Sequence, residues 1–174
     1  YFSFYGENYF KKVNNRFWLI TKGRLIVFDA NFNLLTEQLL PLRGCEERVS
    51  NMMSAGDRIL IQSTYIDRNI GEVENLYTVD QNLNINPISM PAEAQYFLNC
   101  DDQNVYFRWD VESTTLASGS KSGGIMATDF NGNLRWQTSN PKFLFGSEIQ
   151  RMCNGAWVGS CNFIDDIYLK KGLI

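Results

Sequence analysis

The sequence contains no histidine among its 174 residues. That absence removes Ser-His-Asp and Cys-His catalysis, imidazole-ligated zinc, copper or haem, and a charge switch near pH ~6.5. Cysteine is sparse: Cys45, Cys100, Cys153 and Cys161 show no Cys-x-x-Cys spacing, so neither a zinc ribbon nor a thioredoxin-type site is indicated. No cofactor is expected. Basic residues never run beyond the pairs Lys11-Lys12 and Lys170-Lys171, and the net charge is −3 with pI near 5.0. Nothing would neutralise a row of phosphates, so nucleic acid is not an expected partner. No apolar run approaches the ~20 residues that span a bilayer. There is no Asn-x-Ser/Thr acceptor despite the many asparagines, which argues against a glycosylated secreted protein. The chain opens at Tyr1 without a basic region leading into an apolar stretch. A processed form or a piece of a larger protein is the expectation, and the compartment stays unknown.

What is present favours strands. The hydrophobic share is 44%, charged residues make up 20%, and aromatics reach 14% while Ala/Glu/Lys/Leu blocks are scarce. One phrase, Asp-x-Asn-x-Asn-Leu/Ile, occurs three times: Asp29, Asn31, Asn33; Asp80, Asn82, Asn84; and Asp129, Asn131, Asn133. Its copies are 51 and 49 residues apart. A period near fifty with strands on both sides of a polar turn indicates an all-β repeat architecture, a β-propeller of four-stranded antiparallel blades.

Four units follow from that register, spanning roughly 9–42, 48–91, 95–140 and 148–174, with 1–6 as an extra strand. In the first, Tyr9–Val13, Phe17–Thr21, Leu25–Asp29 and Leu34–Leu40 read as strands, with Asn14-Asn15 and Lys22-Gly23 as turns. The second reads as Val49–Met53, Arg58–Thr64, Glu74–Asp80 and Ile85–Met90. The third reads as Tyr96–Cys100, Asn104–Val111, Gly123–Asp129 and Asn133–Thr138. The fourth begins with Ile149–Cys153, Ala156–Phe163 and Asp166–Leu169 and then stops. Pro41, Pro87, Pro91 and Pro141 fall in outer strands or links, where a missing N–H is tolerated. Val13, Met53, Cys100 and Cys153 are expected at matching inner-strand positions, with both cysteines as buried hydrophobes. About four blades are covered. They close as a four-bladed ring, with 1–6 completing the last unit, or form part of a seven- or eight-bladed one.

The repeated phrase has two readings. Asp and Asn tolerate left-handed backbone angles and bond nearby N–H groups, which suits a hairpin between third and fourth strands. Gly132 supplies a permissive residue in the third copy, which Phe32 and Leu83 do not. The rival is a calcium loop built on Asp29, Asp80 and Asp129. Its closing acidic residue is missing, since Leu40, Pro91 and Asn140 stand at the twelfth positions. The hairpin is preferred.

Ala127-Thr128-Asp129-Phe130-Asn131-Gly132-Asn133-Leu134-Arg135-Trp136 resembles the repeat of quinoprotein-like (PQQ-like) propellers. That repeat sets Ala-x-Asp before a turn, Gly within it and Trp four residues after the Gly. The resemblance implies a packing role for Trp136. Phe28-Asp29 and Val79-Asp80 keep only the Asp, and 168–173 lacks the phrase. No quinone or metal ligand set carries over.

Function is expected on the face bearing two long second-to-third-strand connections, where recognition commonly sits. One runs from Tyr65 to Asn75 and offers Tyr65, Asp67, Arg68, Glu72 and Glu74. The other runs from Glu112 to Ser122 and offers Glu112, Ser118, Ser120 and Lys121. The favoured function is a non-catalytic propeller binding a protein partner through these loops. A carbohydrate-binding propeller is a second reading, with Tyr65, Tyr106, Trp109 and Trp157 as exposed stacking aromatics. A carboxylate-dependent hydrolase or lyase with its site in a central channel is a third. The adjacent pairs Glu46-Glu47, Asp101-Asp102 and Asp165-Asp166 are expected as solvated turns, because neighbouring strand residues point to opposite faces.

Overall fold

The computed structural model describes residues 8–112, 121–138, 145–151 and 157–161. The expected 1–6 strand, Asp166–Leu169, Cys153, the Asp165-Asp166 pair, Lys170-Lys171, Pro141, Ser118 and Ser120 lie outside them. The described elements are strands, apart from a 3-10 turn at Gly44–Glu46. No helix among them is long and apolar enough to cross a membrane.

Three four-stranded antiparallel meanders form, each in chain order. The first sheet is β1 (Tyr9–Val13), β2 (Arg16–Thr21), β3 (Arg24–Phe28) and β4 (Leu34–Leu39). The second is β5 (Arg48–Ala55), β6 (Arg58–Asp67), β7 (Gly71–Val79) and β8 (Ile85–Ile88). The third is β9 (Ala94–Cys100), β10 (Val105–Glu112), β11 (Lys121–Thr128) and β12 (Leu134–Gln137). A two-stranded pair, β13 (Phe145–Arg151) and β14 (Trp157–Cys161), follows. Pro87 lies in β8, the outer strand of its sheet.

The repeat is carried by register. Phe17↔Phe28, Ile59↔Val79 and Val105↔Thr128 open equivalent ladders. Phe28↔Leu34, Val79↔Ile85 and Thr128↔Leu134 close the next ones. The repeated Asp follows each of Phe28, Val79 and Thr128. By the same register, Val13 opposite Arg16 corresponds to Ala55 opposite Arg58, not to Met53. The misplacement has a simple cause: β5 runs two residues further than its apolar pattern suggests. Cys100 is only half-buried, and burial next to the Asp101 charge pushes its thiol up to about 12.

The chain divides into two compact units, 1–89 with 100–103, and 90–99 with 104–174. In the first unit, Trp18, Ile20, Leu25 and Val27 of the first sheet share a core with Val49, Met52, Ile59, Ile61, Tyr77 and Val79 of the second. Strand alternation sends these side chains to one face of each sheet, and burying each contributes about 1.5–3 kcal/mol. In the second unit, Phe97 packs edge-on to Phe107 at 6.3 Å. Tyr106, Ile125 and Ala127 cluster with Leu98 and Trp136.

Candidate functional site

Hairpin length distinguishes the second sheet. The β2–β3 ladder has five rungs and ends in a tight turn, with Lys22 at φ 49° and Gly23 at φ 71°. The β6–β7 ladder has nine rungs, from Ile59↔Val79 to Asp67↔Gly71. The stretch from Tyr65 to Asn75 is therefore largely strand rather than loop, and only 68–70 form the turn. Its missing alternation is supplied by cross-strand pairing. β5 stops opposite Thr64, at Arg48, and β8 stops opposite Leu76, at Ile88. The outer rungs Tyr65↔Val73, Ile66↔Glu72 and Asp67↔Gly71 thus stand clear of both neighbours as an arm of about 10 Å.

The root of the arm is locked by a carboxylate. Glu47 is 4% exposed, which overturns its expectation as a solvated turn residue. Its Oε1 accepts from the Ser63 hydroxyl and from Asn75 Nδ2 at 2.8 Å, and its Oε2 accepts from the Arg43 N–H at 2.7 Å. Ser63 and Asn75 are cross-strand partners, so one buried acceptor clamps both sides of the hairpin. Tyr77 Oη lies 3.5 Å from the same Oε1. Burial pushes the Glu47 pKa up, but the Ser63 hydroxyl, the Arg43 N–H, the Asn75 amide and the Arg43 charge outweigh it. The carboxyl is held below the ordinary glutamate value and stays ionised. Burial, the Glu47 charge and its hydrogen bond raise Tyr77 in turn. Two rungs further out, the Arg43 guanidinium lies over the Tyr65 ring at 4.8 Å.

The tip is built for display. Asp67 Oδ1 accepts from the N–H groups of Asn69 at 2.8 Å and Ile70 at 3.2 Å, and Gly71 takes φ 93°. With the turn fixed in this way, Ile66 and Ile70 are 76% and 78% exposed. Arg68 and Glu72 are exposed beside them. Of the residues singled out in this connection, Tyr65 and Asp67 are thus occupied inside the arm, and Glu74 accepts from Gln62 Nε2 at 3.2 Å. Ile66 and Ile70 escaped sequence reading because isolated isoleucines in a polar stretch read as buried. Glu112 and Lys121 are Cα partners at the outer end of the eight-rung β10–β11 ladder.

The repeated phrases sit at β3–β4, β7–β8 and β11–β12. Asp29 and Asp129 each accept from N–H groups two and four residues on, and from the Nδ2 of Asn33 and Asn133. Asp80 holds Asn84 through the same two groups. The side-chain amide and N–H of Asn33 lower the Asp29 pKa, and those of Asn133 do the same for Asp129. For Asp80, slight burial acts upward and the Asn84 N–H and amide outweigh it. These carboxylates are engaged by their own loops. Phe32 and Leu83 adopt φ 62° and 68°, the left-handed position that Gly132 fills at 86°. The Asp-centred hydrogen bonds impose that angle even on bulky residues, contrary to the sequence expectation.

The remaining aromatics are placed differently from expectation. Tyr106 and Trp109 are 3% and 6% exposed: they point to opposite faces of β10, and both faces are covered there, as the burial of Val105 and Phe107 also shows. The side chain of Trp157 lies outside the described ones. Asp101 Oδ1 accepts from the Gln103 N–H in a local turn. Trp136 packs on Tyr106, ring centroids 5.9 Å apart.

No protein-family model and no curated protein sequence matches the chain. A solved structure from a structural and mechanistic study of two prolyl endopeptidases matches it with a TM-score of 0.48 and 12% identity. That match covers 87% of this chain, which spans only 23% of the endopeptidase chain.

Proposed function

We propose that the chain is a non-catalytic scaffold of propeller blades that binds a partner protein through the β6–β7 arm. Three meanders with equivalent ladder registers support reading the sheets as blades. The PQQ-like resemblance belongs to the same reading, with Trp136 packed on Tyr106. The observation that carries the functional part is the pair Ile66 and Ile70, more than three-quarters exposed on an arm whose root is immobilised by Glu47. Two such side chains on a pre-ordered hairpin bind with little ordering entropy left to lose.

Site-specific photo-crosslinking tests this reading in the native cell. A benzophenone side chain at position 70 yields a discrete protein adduct. The same group at position 39, where Leu39 is 67% exposed on β4, yields none. Equal adducts at both positions, or none at 70, refute an arm-directed interaction.

A further inference from the structure

At the end of the first unit away from the arm, residues of the first two sheets line a cleft of about 510 Å³. β6 starts there beside Asp57 and carries the arm at its other end, about 30 Å away. Two successive copies of the repeated phrase line the cleft, the first through Asp29 and Asn31 and the second through Gln81. Asn14 and Asn15, the β1–β2 turn, line it as well. Val13 and Trp18 supply apolar surface: Val13 pairs with Arg16, and alternation puts both with Trp18 on the buried face of the first sheet. Trp18 is 1% exposed, and its indole Nε1 has no hydrogen-bond acceptor among the described residues. A buried donor in that state is uncommon in a folded protein and calls for an acceptor from elsewhere.

We infer that this cleft binds a small neutral sugar. The charged groups that line it are engaged within the chain. Arg16 Nη1 donates to the Gln81 carbonyl at 2.6 Å, and Gln81 Nε2 donates to Asp57 Oδ2 at 2.7 Å. Asp29 is held by the N–H groups and amide of its own loop. Two carboxylates against one guanidinium also disfavour an anion. The side-chain amides of Asn14, Asn15 and Asn31 are exposed and make no hydrogen bond among the described residues. What stays free is therefore neutral: amides that both donate and accept, and one indole N–H. A charged ligand would lose water without meeting an open counter-charge, whereas hydroxyl groups pair with amides in both directions. Val13 and Trp18 offer the apolar surface that suits the C–H face of a sugar ring. The volume falls in the range of small-molecule sites, and the Arg16–Gln81–Asp57 chain ties the two sheets together before anything binds. The cleft is separate from the arm, so the crosslinking result at position 70 does not bear on it.

The full chain, titrated by NMR at millimolar ligand, supplies the test. The probes are the methyl glycosides of glucose, galactose, mannose and N-acetylglucosamine, with glucuronate, glucosamine and glycerol as controls. At least one methyl glycoside shifts the Trp18 indole N–H together with the side-chain amides of Asn14 and Asn15. Glucuronate and glucosamine bind more weakly than that glycoside, and glycerol, which has hydroxyls but no ring face, causes no shift. Asn15→Ala and Asn31→Ala each weaken the glycoside about fivefold, as expected for one hydrogen bond, and leave the urea midpoint unchanged. No shift with any of the four glycosides, or shifts confined to residues outside the cleft, overturns the site. Binding that both alanine variants leave intact overturns it too. Equal binding of glycerol or glucuronate overturns the assignment to a neutral sugar.

Discussion

Replacing Glu47 by alanine strips one acceptor from the Ser63 hydroxyl, the Asn75 amide and the Arg43 N–H at once. Hydrogen bonds to a charged group contribute roughly 1.5–3 kcal/mol each, and buried donors left without partners cost about 1–3 kcal/mol. Because the three donors share a single carboxylate, these losses do not add in full, and a total near 3 kcal/mol is expected. In a chain of this length that lowers the melting temperature by about 6–12 °C. Glu47→Gln keeps one acceptor oxygen and the packing, so a loss of about 1–2 kcal/mol is expected. The pH dependence separates charge from shape. The Glu47 pKa is depressed in the folded state, so its contribution is fully present above the unfolded value of about 4.3. It is lost as pH falls through the lower folded value. Urea midpoints measured downward from pH 6 therefore fall more steeply for the natural chain than for Glu47→Gln. Amide exchange adds the functional link: in Glu47→Ala the amides of Tyr65 and Val73 exchange faster, while those of the Thr21–Arg24 turn do not. Stability of Glu47→Ala within about 0.5 kcal/mol of the natural chain would falsify the clamp, and so would identical acid profiles for Glu47→Gln and the natural chain.

Three further outcomes follow from local geometry. A Cβ on Gly124 would lie 2.1 Å from the Thr138 carbonyl oxygen and 3.0 Å from Trp109 Nε1, which itself donates to that oxygen. Gly124→Ala destabilises by about 3 kcal/mol in chemical denaturation, and a loss under about 1 kcal/mol would show that β12 can move away. Phe32 combines a left-handed backbone with a stack on Phe17, ring centroids 4.5 Å apart. Phe32→Gly alone changes stability little, since relief of about 1 kcal/mol of strain offsets a stack of similar size. In a Phe17→Ala background it stabilises by about 1 kcal/mol, and a double-mutant cycle without coupling contradicts this. Cys100, with its thiol pushed up to about 12, resists iodoacetamide in the folded chain at pH 8. Rapid alkylation mapped to its peptide by mass spectrometry would refute that environment.

Turn chemistry was legible in the sequence because it is local. Asp29 closes its loop with donors two and four residues away, so the phrase carries its own hydrogen-bond partners and marks the repeat wherever it occurs. Lys22-Gly23 sits between clean apolar runs and reads as the two-residue turn that it forms. The alternation of Trp18, Ile20, Leu25 and Val27 likewise announces the buried face of the first sheet. The loop angle at Phe32 was not legible, since residue preference argues against it and the Asp29 bonds decide it.

The arm and its root belong to tertiary structure. Residues 65–75 lack apolar alternation, and they become strand because each side supplies the hydrogen bonds of the other. Glu47 stands beside exposed Glu46 and looks equally solvated in sequence. Its partners Ser63, Asn75 and Tyr77 lie 16, 28 and 30 residues away, and only folding of the second sheet brings them around one carboxylate. The sequence by itself determined where the chain turns and how often the pattern repeats, because those interactions span a few residues. Only the tertiary structure decided which acid is buried and which isoleucines are displayed, because burial depends on neighbours supplied from elsewhere in the chain.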